Sequence, residues 1–218
     1  MRNTFNRTDT LDLPVPNYWD GIAMIIIIGL IVALCLGADA MLGRYQLGTP
    51  IHISLNPHEL PYYALRSVLR MFIALAASLV FTFIFGTWAA KSRHAEKIII
   101  PFIDIMQSVP VLGFLPIAAV VFVGTFANSM LGPEMAAIFA IFTAQVWNMA
   151  LSLYQSLRSV PGELLEAGKM FQLSAWQRYW KIEVPFAMPG LIWNAMISMS
   201  ASWVFLVASE AITVNHVT

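Results

Sequence analysis

The sequence predicts an all-α membrane protein, a polytopic helical bundle with about five transmembrane helices. Three observations carry this. The 218 residues are 59% hydrophobic and only 11% charged, where soluble domains run at about half apolar and about a quarter charged. The apolar excess comes in blocks: residues 21–38, 71–90, 135–157 and 184–209 hold no charged side chain, and 98–133 holds only Asp104. Each block is long enough for a spanning helix, which needs roughly 17–25 mainly apolar residues.

Residues 1–20 read as a polar tail, with Pro14 and Pro16 and the aromatic pair Tyr18 and Trp19 at the mouth of the first span. The first span covers 21–42. Ala38-Asp39-Ala40 matches a signal-peptidase pattern, but Asp9, Asp12 and Asp20 make a poor leader and the apolar run exceeds most leader cores, so the helix is read as retained. Residues 43–62 form a loop rich in Gly, Pro and Asn. In "NPHELPYYALRSVLRM", Leu65, Val68, Leu69 and Phe72 share one side and Arg66 and Arg70 another. This fits either a short interfacial helix before the second span or a second span that starts early with snorkelling arginines.

The region 98–133 carries Pro101, Pro110, Gly113 and Pro116. Proline lacks a backbone donor and clashes one turn back, so the helix is expected to kink or break around "QSVPVLGFLP". Irregular backbone at membrane depth is tolerated only where protein buries it or it lines a cavity. The break therefore suits either a transport pathway or a kinked packing helix. The fourth span is expected near 134–157 and the fifth near 185–212.

Lys and Arg bias sets the orientation. With the N-terminus inside, the cytoplasmic segments hold Arg2, Arg7, Lys91, Arg93, Lys97, Arg158, Lys169, Arg178 and Lys181, against Arg44, Arg66 and Arg70 outside. Residues 158–185 therefore face the cytoplasm. Within them, Pro161 suits the first position of a helix running to about Phe171, with Glu163 in its first turn. Ser174 and Gln177 form a capping box opening a second helix, which runs to Val184 before Pro185 forces a change of direction. Trp176, Tyr179, Trp180 and Glu183 share a side of it. Ala167 and Gly168, beside Glu166 and Met170, make a small-residue patch open either to a partner or to the chain's own bundle.

This stretch resembles the EAA loop of permease subunits of bacterial ABC-type importers. That pattern is E-A-A, three residues, Gly, nine residues, Ile, one residue, Leu-Pro. Here Glu166, Ala167, Gly168, Gln172, Ile182, Val184 and Pro185 occupy those positions. Gln172 replaces the turn glycine, which puts the turn geometry in question. "IDIMQSVPVLGFLP", "FTAQVWNMALSLYQSLRSVP" and "VPFAMPGLIWNAMISMSASWVFLVASEAI" are similar to the nitrate, sulfonate and taurine branch. The resemblance implies a type I importer permease fold over 63–218 lacking its last helix, either because the chain is a fragment or because a partner supplies the packing. It further implies a cytoplasmic ATP-binding subunit docked on Glu166, Ala167, Gly168, Met170 and Gln172. A second permease domain (a second copy or a linked domain), a periplasmic solute-binding protein and residence in the bacterial inner membrane complete the implied assembly. The chain itself would need no cofactor and catalyse nothing.

Polar residues within spans mark either a pathway or interhelical packing. The candidates are Asp104, Gln107, Ser108, Gln145, Asn148, Asn194, Ser198, Ser200 and Glu210. With no basic residue at mid-membrane, an anionic solute would be held by amides, hydroxyls or helix N-termini. Zero net charge argues against nucleic acid. Cys35 stands alone, the four histidines lack ligand spacing, and no hydrolase motif is present. A secondary transporter would show two related halves with paired broken helices, which this sequence lacks.

Overall fold

The computed structural model describes residues 18–41, 56–126 and 129–215. The expected tail before Tyr18, most of the expected outer loop and the last three residues lie outside these. Nine α-helices and two π-helical turns make up the described fold: α1 Tyr18–Met41, α2 Leu60–Phe81, a π turn Thr82–Gly86, α3 Thr87–Lys91, α4 Arg93–Ser108, α5 Val111–Thr125, α6 Leu131–Arg158, α7 Gly162–Met170, α8 Ala175–Arg178, a π turn Tyr179–Glu183 and α9 Val184–Asn215. Three continuous stretches are long and apolar enough to cross a membrane: Leu60–Lys91, Leu131–Arg158 and Ala175–Glu210. The α1 helix adds 24 residues, lies against α2 and exposes Ile25 to Ile28.

The centre of the bundle is α6, which packs against α2, α5 and α9. In lipid, apolar side chains gain little by leaving the surrounding tails, so helices associate through close packing. The sequence of α6 suits this: Ala136, Ala137, Ala140 and Ala150 are buried along it, letting backbones approach, with Ile141, Val146, Met149 and Leu153 filling the gaps. At Gly132 a Cβ would lie 2.8 Å from the Val123 Cα, so glycine lets α5 and α6 cross closely. One core cluster joins Ile99 and Ile103 of α4 to Val146 and Trp147. A second joins Met71 and Ala74 of α2 to Ile138, Ile141 and Leu206. A third joins Leu153 and Leu157 to Ala187 and Leu191 of α9.

The proline-rich region breaks where the sequence places it. Val109 and Pro110 are extended, at ψ 129° and 118°, and separate α4 from α5. Pro101 and Pro116 remain inside their helices. The 98–133 span is thus delivered as two helices of 16 and 15 residues, each shorter than the roughly 20 residues a full crossing needs.

The α2 helix starts at Leu60, inside the loop expected over 43–62, and runs without a break into the second apolar stretch. Its arginines do not snorkel. Arg66 and Arg70 both pair with Glu134 at the start of α6, and Arg70 Nη1 also reaches Glu210 at 2.6 Å near the end of α9. Ser67 Oγ donates to Glu210 at 2.5 Å. Glu210 is therefore half of an ion network tying α2, α6 and α9 together, a role not read from its position near the outer end. Pro185 likewise does not redirect the chain. The π turn Tyr179–Glu183 precedes it, with the Val184 N–H donating to the Tyr179 carbonyl, and this wider turn carries the helix past the proline into α9. Pro161 is one residue earlier than expected, as the cap of α7.

Gln172 resolves the question raised by its glycine-bearing counterpart. Its φ is 55°, the one positive value among described non-glycine residues. The Gln172 N–H donates to the Lys169 carbonyl at 2.9 Å and the Leu173 N–H to the Gly168 carbonyl at 3.0 Å. This is the Schellman ending of α7, with glutamine in the left-handed position that glycine usually fills. The turn geometry is kept, at a steric cost of about 1 kcal/mol.

Two expectations follow for stability in detergent. Glu134→Ala leaves two partly buried arginines without their shared carboxylate, Arg70 keeping only Glu210, and should cost about 3 kcal/mol. Glu210→Ala, at 39% side-chain exposure, should cost about 1 kcal/mol, so thermal unfolding should rank wild type, Glu210→Ala and Glu134→Ala in falling order. Gln172→Gly relieves the left-handed strain but loosens the unfolded chain, and should raise stability by at most about 1 kcal/mol. Gln172→Val should lower it by about 1–2 kcal/mol, both read by hydrogen exchange of the Leu173 amide.

Candidate functional site

Two regions concentrate the polar and exposed features, one at each level of the bundle. The first is the α7–α8 loop. Ser174 Oγ accepts from the Gln177 N–H at 3.3 Å and Gln177 Oε1 accepts from the Ser174 N–H at 2.9 Å, so the expected capping box opens α8. Trp176, Tyr179 and Trp180 pack on one another, with ring centroids 5.3–6.2 Å apart. The two arms of the loop close on Gly168. It is buried, and a Cβ there would fall 2.7 Å from Ile182 Cδ1 and 3.2 Å from the Arg178 stem.

The five residues expected to dock a partner therefore divide. Glu166, Met170 and Gln172 are exposed, Ala167 is half-buried, and Gly168 faces inward and joins the two arms. The small-residue patch serves the loop's own packing at Gly168. Beside Met170, at 84% exposure, stands Phe171 at 79%. Phe171 was missed as a candidate; the signal was present, since an apolar pair at the end of a charged, capped helix has no core of its own to enter.

The loop is fastened to the bundle by its second arm. Tyr179 Oη and Thr87 Oγ1 lie 2.7 Å apart. Lys91 pairs with Glu183, whose carboxylate is buried, and Phe83 stacks on Trp180 at 6.3 Å. Near them, Tyr154 Oη donates to Glu96 at 2.5 Å and Arg158 lies 3.6 Å from the same carboxylate, joining α4 to α6.

The second region is an open cavity of about 290 Å³ beside the α4–α5 break, where Met106, Gln107, Thr143, Trp147, Asn148 and Phe205 line it. Two of the pathway candidates, Gln107 and Asn148, are brought together here. Asp104 adjoins it: Gln107 Nε2 donates to Asp104 Oδ1 at 3.1 Å, and Ser108 Oγ donates to the Asp104 carbonyl at 2.7 Å. Thr143 and Trp147 were not anticipated; neither stands out in an apolar helix until α6 is placed against the break. Thr143 spends its proton on the Ala140 carbonyl at 2.9 Å, leaving lone pairs to the cavity.

The remaining candidates lie elsewhere. Gln145 is fully buried between α2 and α9, with Ser78 Oγ at 3.5 Å and Met199 Sδ at 3.6 Å. Asn194 donates to Ser152 Oγ at 3.0 Å and to the Gly190 carbonyl at 3.1 Å, gluing α9 to α6. Ser198 is buried, Ser200 is exposed on α9, and Glu210 belongs to the ion network. Among the described residues no group of His, Cys, Asp and Glu could hold a metal ion.

Comparison with known proteins adds a lineage to this geometry. The chain is similar to the nitrate import permease protein NrtB of Synechocystis, 24% identical over 144 residues, which are 66% of this chain and 50% of that protein. It is similar to the glycine betaine/carnitine transport permease protein GbuB of Listeria monocytogenes, 34% identical over 53% of this chain and 39% of that protein. It is also similar to the taurine transport system permease protein TauC of Escherichia coli, 27% identical over 69% of this chain and 52% of that protein. The chain spans about half or less of the length of the first curated relatives it matches. The model of one family, the binding-protein-dependent transport system inner membrane component, matches residues 82–217. That interval takes in the broken helix, the cavity, the capped loop and α9, and the chain belongs to this family.

Proposed function

We propose that this chain is the membrane-spanning permease subunit of an ATP-driven importer, and that the α7–α8 loop couples its solute pathway to a separate ATPase subunit. The observation that carries this reading is the loop: a short helix closed by capping box, Schellman turn and Gly168 contact, fastened to the bundle, and ending in the exposed pair Met170 and Phe171. A segment that only linked two spans would need none of this rigidity. Exposed apolar side chains on a rigid, charged peg match the anchors of a protein interface. In this reading the loop and N-terminus are cytoplasmic, a second permease domain completes the pathway, and a periplasmic binding protein delivers the solute. The chain performs no catalysis; it is the two-state element that a partner biases by binding its states unequally.

The cavity supports a small, polar solute. Amide groups and aromatic rings line it, with no Lys, Arg or His among the lining residues. A small anion such as nitrate, a sulfonate or taurine is the solute we propose, held by amide donors. Asp104 beside Gln107 and the rings of Trp147 and Phe205 favour a solute that also carries a positive nitrogen. Taurine satisfies both demands.

Docking is tested by co-purification with the ATPase subunit. Glu166→Lys or a Met170→Ala/Phe171→Ala pair should weaken the association by about 2 kcal/mol or more, roughly thirtyfold, with the fold intact by melting. Full association in both variants would sink the docking account. Charge selectivity is tested at Asn148: uptake of an anionic solute should fall about tenfold further in Asn148→Asp than in Asn148→Ala, whereas a cationic solute should show the reverse.

A further inference from the structure

The loop meets the Leu60–Lys91 helix along one stripe, while Tyr179 also packs against the core cluster of α6 and α9. Phe83, Thr87 and Lys91 meet Trp180, Tyr179 and Glu183 respectively. On the loop side Tyr179, Trp180 and Glu183 all lie in the π turn Tyr179–Glu183; on the bundle side Phe83 lies in the π turn Thr82–Gly86, while Thr87 and Lys91 bound α3. A π turn is a local over-wide register, common at functional sites and less tightly bonded than the α-helix around it. Two of them in direct contact are unlike the rest of the bundle, where the described helices are otherwise α-helical. Glu183 is 6% exposed, so its carboxylate depends on Lys91, which reaches in from a half-exposed position. On the other side, Ile182 and Arg178 close on Gly168 of α7.

We infer that Phe83, Thr87 and Lys91 are positioning residues through which a push on α7 is delivered to the cytoplasmic end of the Leu60–Lys91 helix, in addition to α9, which continues the loop covalently. This rests on the importer reading above. The route is contiguous: α7 bears on Ile182 through Gly168, the π turn bears on α3 through Thr87–Tyr179 and Lys91–Glu183, and α3 continues through the facing π turn into α2. The movable element that a coupling route requires is placed at the π turns on either side of the Phe83–Trp180 contact, where the helical register departs from α. The α2 helix then moves with the loop, and its outer end, held by Glu134 and Glu210, moves α6 and α9 relative to the cavity.

The test uses the complete transporter with its ATPase subunits in nanodiscs, with Cys35→Ala and Ala144→Cys as a reporter in the cavity. A membrane-impermeant maleimide reads the exposure of residue 144, so no solute need be known. Trapping with ATP and vanadate should change its modification rate about fivefold or more in this background. In Thr87→Val/Lys91→Ala, ATP hydrolysis should stay within about twofold while the modification rate ceases to follow the nucleotide. The reciprocal exchange Lys91→Glu with Glu183→Lys should restore the response. A merely structural role would lower assembly and hydrolysis together and would not be rescued by the exchange. A full nucleotide response in the Thr87→Val/Lys91→Ala protein overturns the inference, as does an exchange that assembles but fails to rescue. If the double variant does not assemble, Thr87→Val alone decides between a reduced response at unchanged hydrolysis and a full one. A background protein with no nucleotide response at all overturns the importer reading itself, and the inference with it.

Discussion

Lipid offers no hydrogen bonds to a peptide group, so every backbone N–H and C=O at membrane depth must find its partner within the protein. The fold is organised by that constraint. It confines the chain to long helices, and it makes each departure from helix costly enough to need a local reason. Among the described residues at membrane depth the chain leaves helix at Val109 and Pro110, where the proline has no N–H to satisfy and its predecessor is pushed to extended backbone. That is where the cavity opens. The two π turns are the milder departures: they keep the backbone bonded while changing its register, and they fall where the loop meets the bundle.

Once helices are compulsory, packing decides their arrangement, and packing in lipid has no hydrophobic pull between helices to lean on. The alanines of α6 and Gly132 supply close approach, and polar side chains supply direction. Several polar residues inside the spans accordingly serve as glue. Gln145 and Asn194 bond to side chains of neighbouring helices, and Glu210 joins the ion network. Gln107 and Asn148 differ in lining the open cavity beside the α4–α5 break, where Gln107 donates within its own helix to Asp104.

The helical class, the break and the capped loop were legible because each leaves a mark in a short window: charge-free blocks, clustered prolines, Ser174 three residues before Gln177. The Gln172 turn was legible as a position but not as a conformation, because the Schellman bonds that impose the left-handed backbone come from α7 as a whole. What depends on residues far apart in the chain was not legible. Arg66 and Arg70 read as interfacial or snorkelling cations because their counter-charges, Glu134 and Glu210, lie 64 to 140 residues away in sequence, on α6 and α9. Lys91 and Glu183 are likewise paired across the fold. Gly168 read as an open patch because Ile182, which covers it, enters only when the capping box folds α8 back on α7. The same spacing that made the loop recognisable, from Glu166 to Pro185, thus encodes both the exposed tip that we propose docks a partner and the internal Gly168 contact that stiffens it.

A lever works only if it is stiffer than what it moves. The α7–α8 loop meets this condition by local devices that do not draw on the bundle: the capping box, the Schellman turn and the Gly168 contact are all internal to residues 161–182. The bundle next to the cavity is the softer partner, since α4 and α5 are short, are interrupted by an extended dipeptide and contain a proline each. A displacement imposed at the tip should therefore be taken up at the break beside Gln107 and Asn148, because that is where the fewest backbone hydrogen bonds oppose it. This distribution of stiffness, firm at the loop and yielding at the cavity, is what the proposed coupling to an outside partner requires.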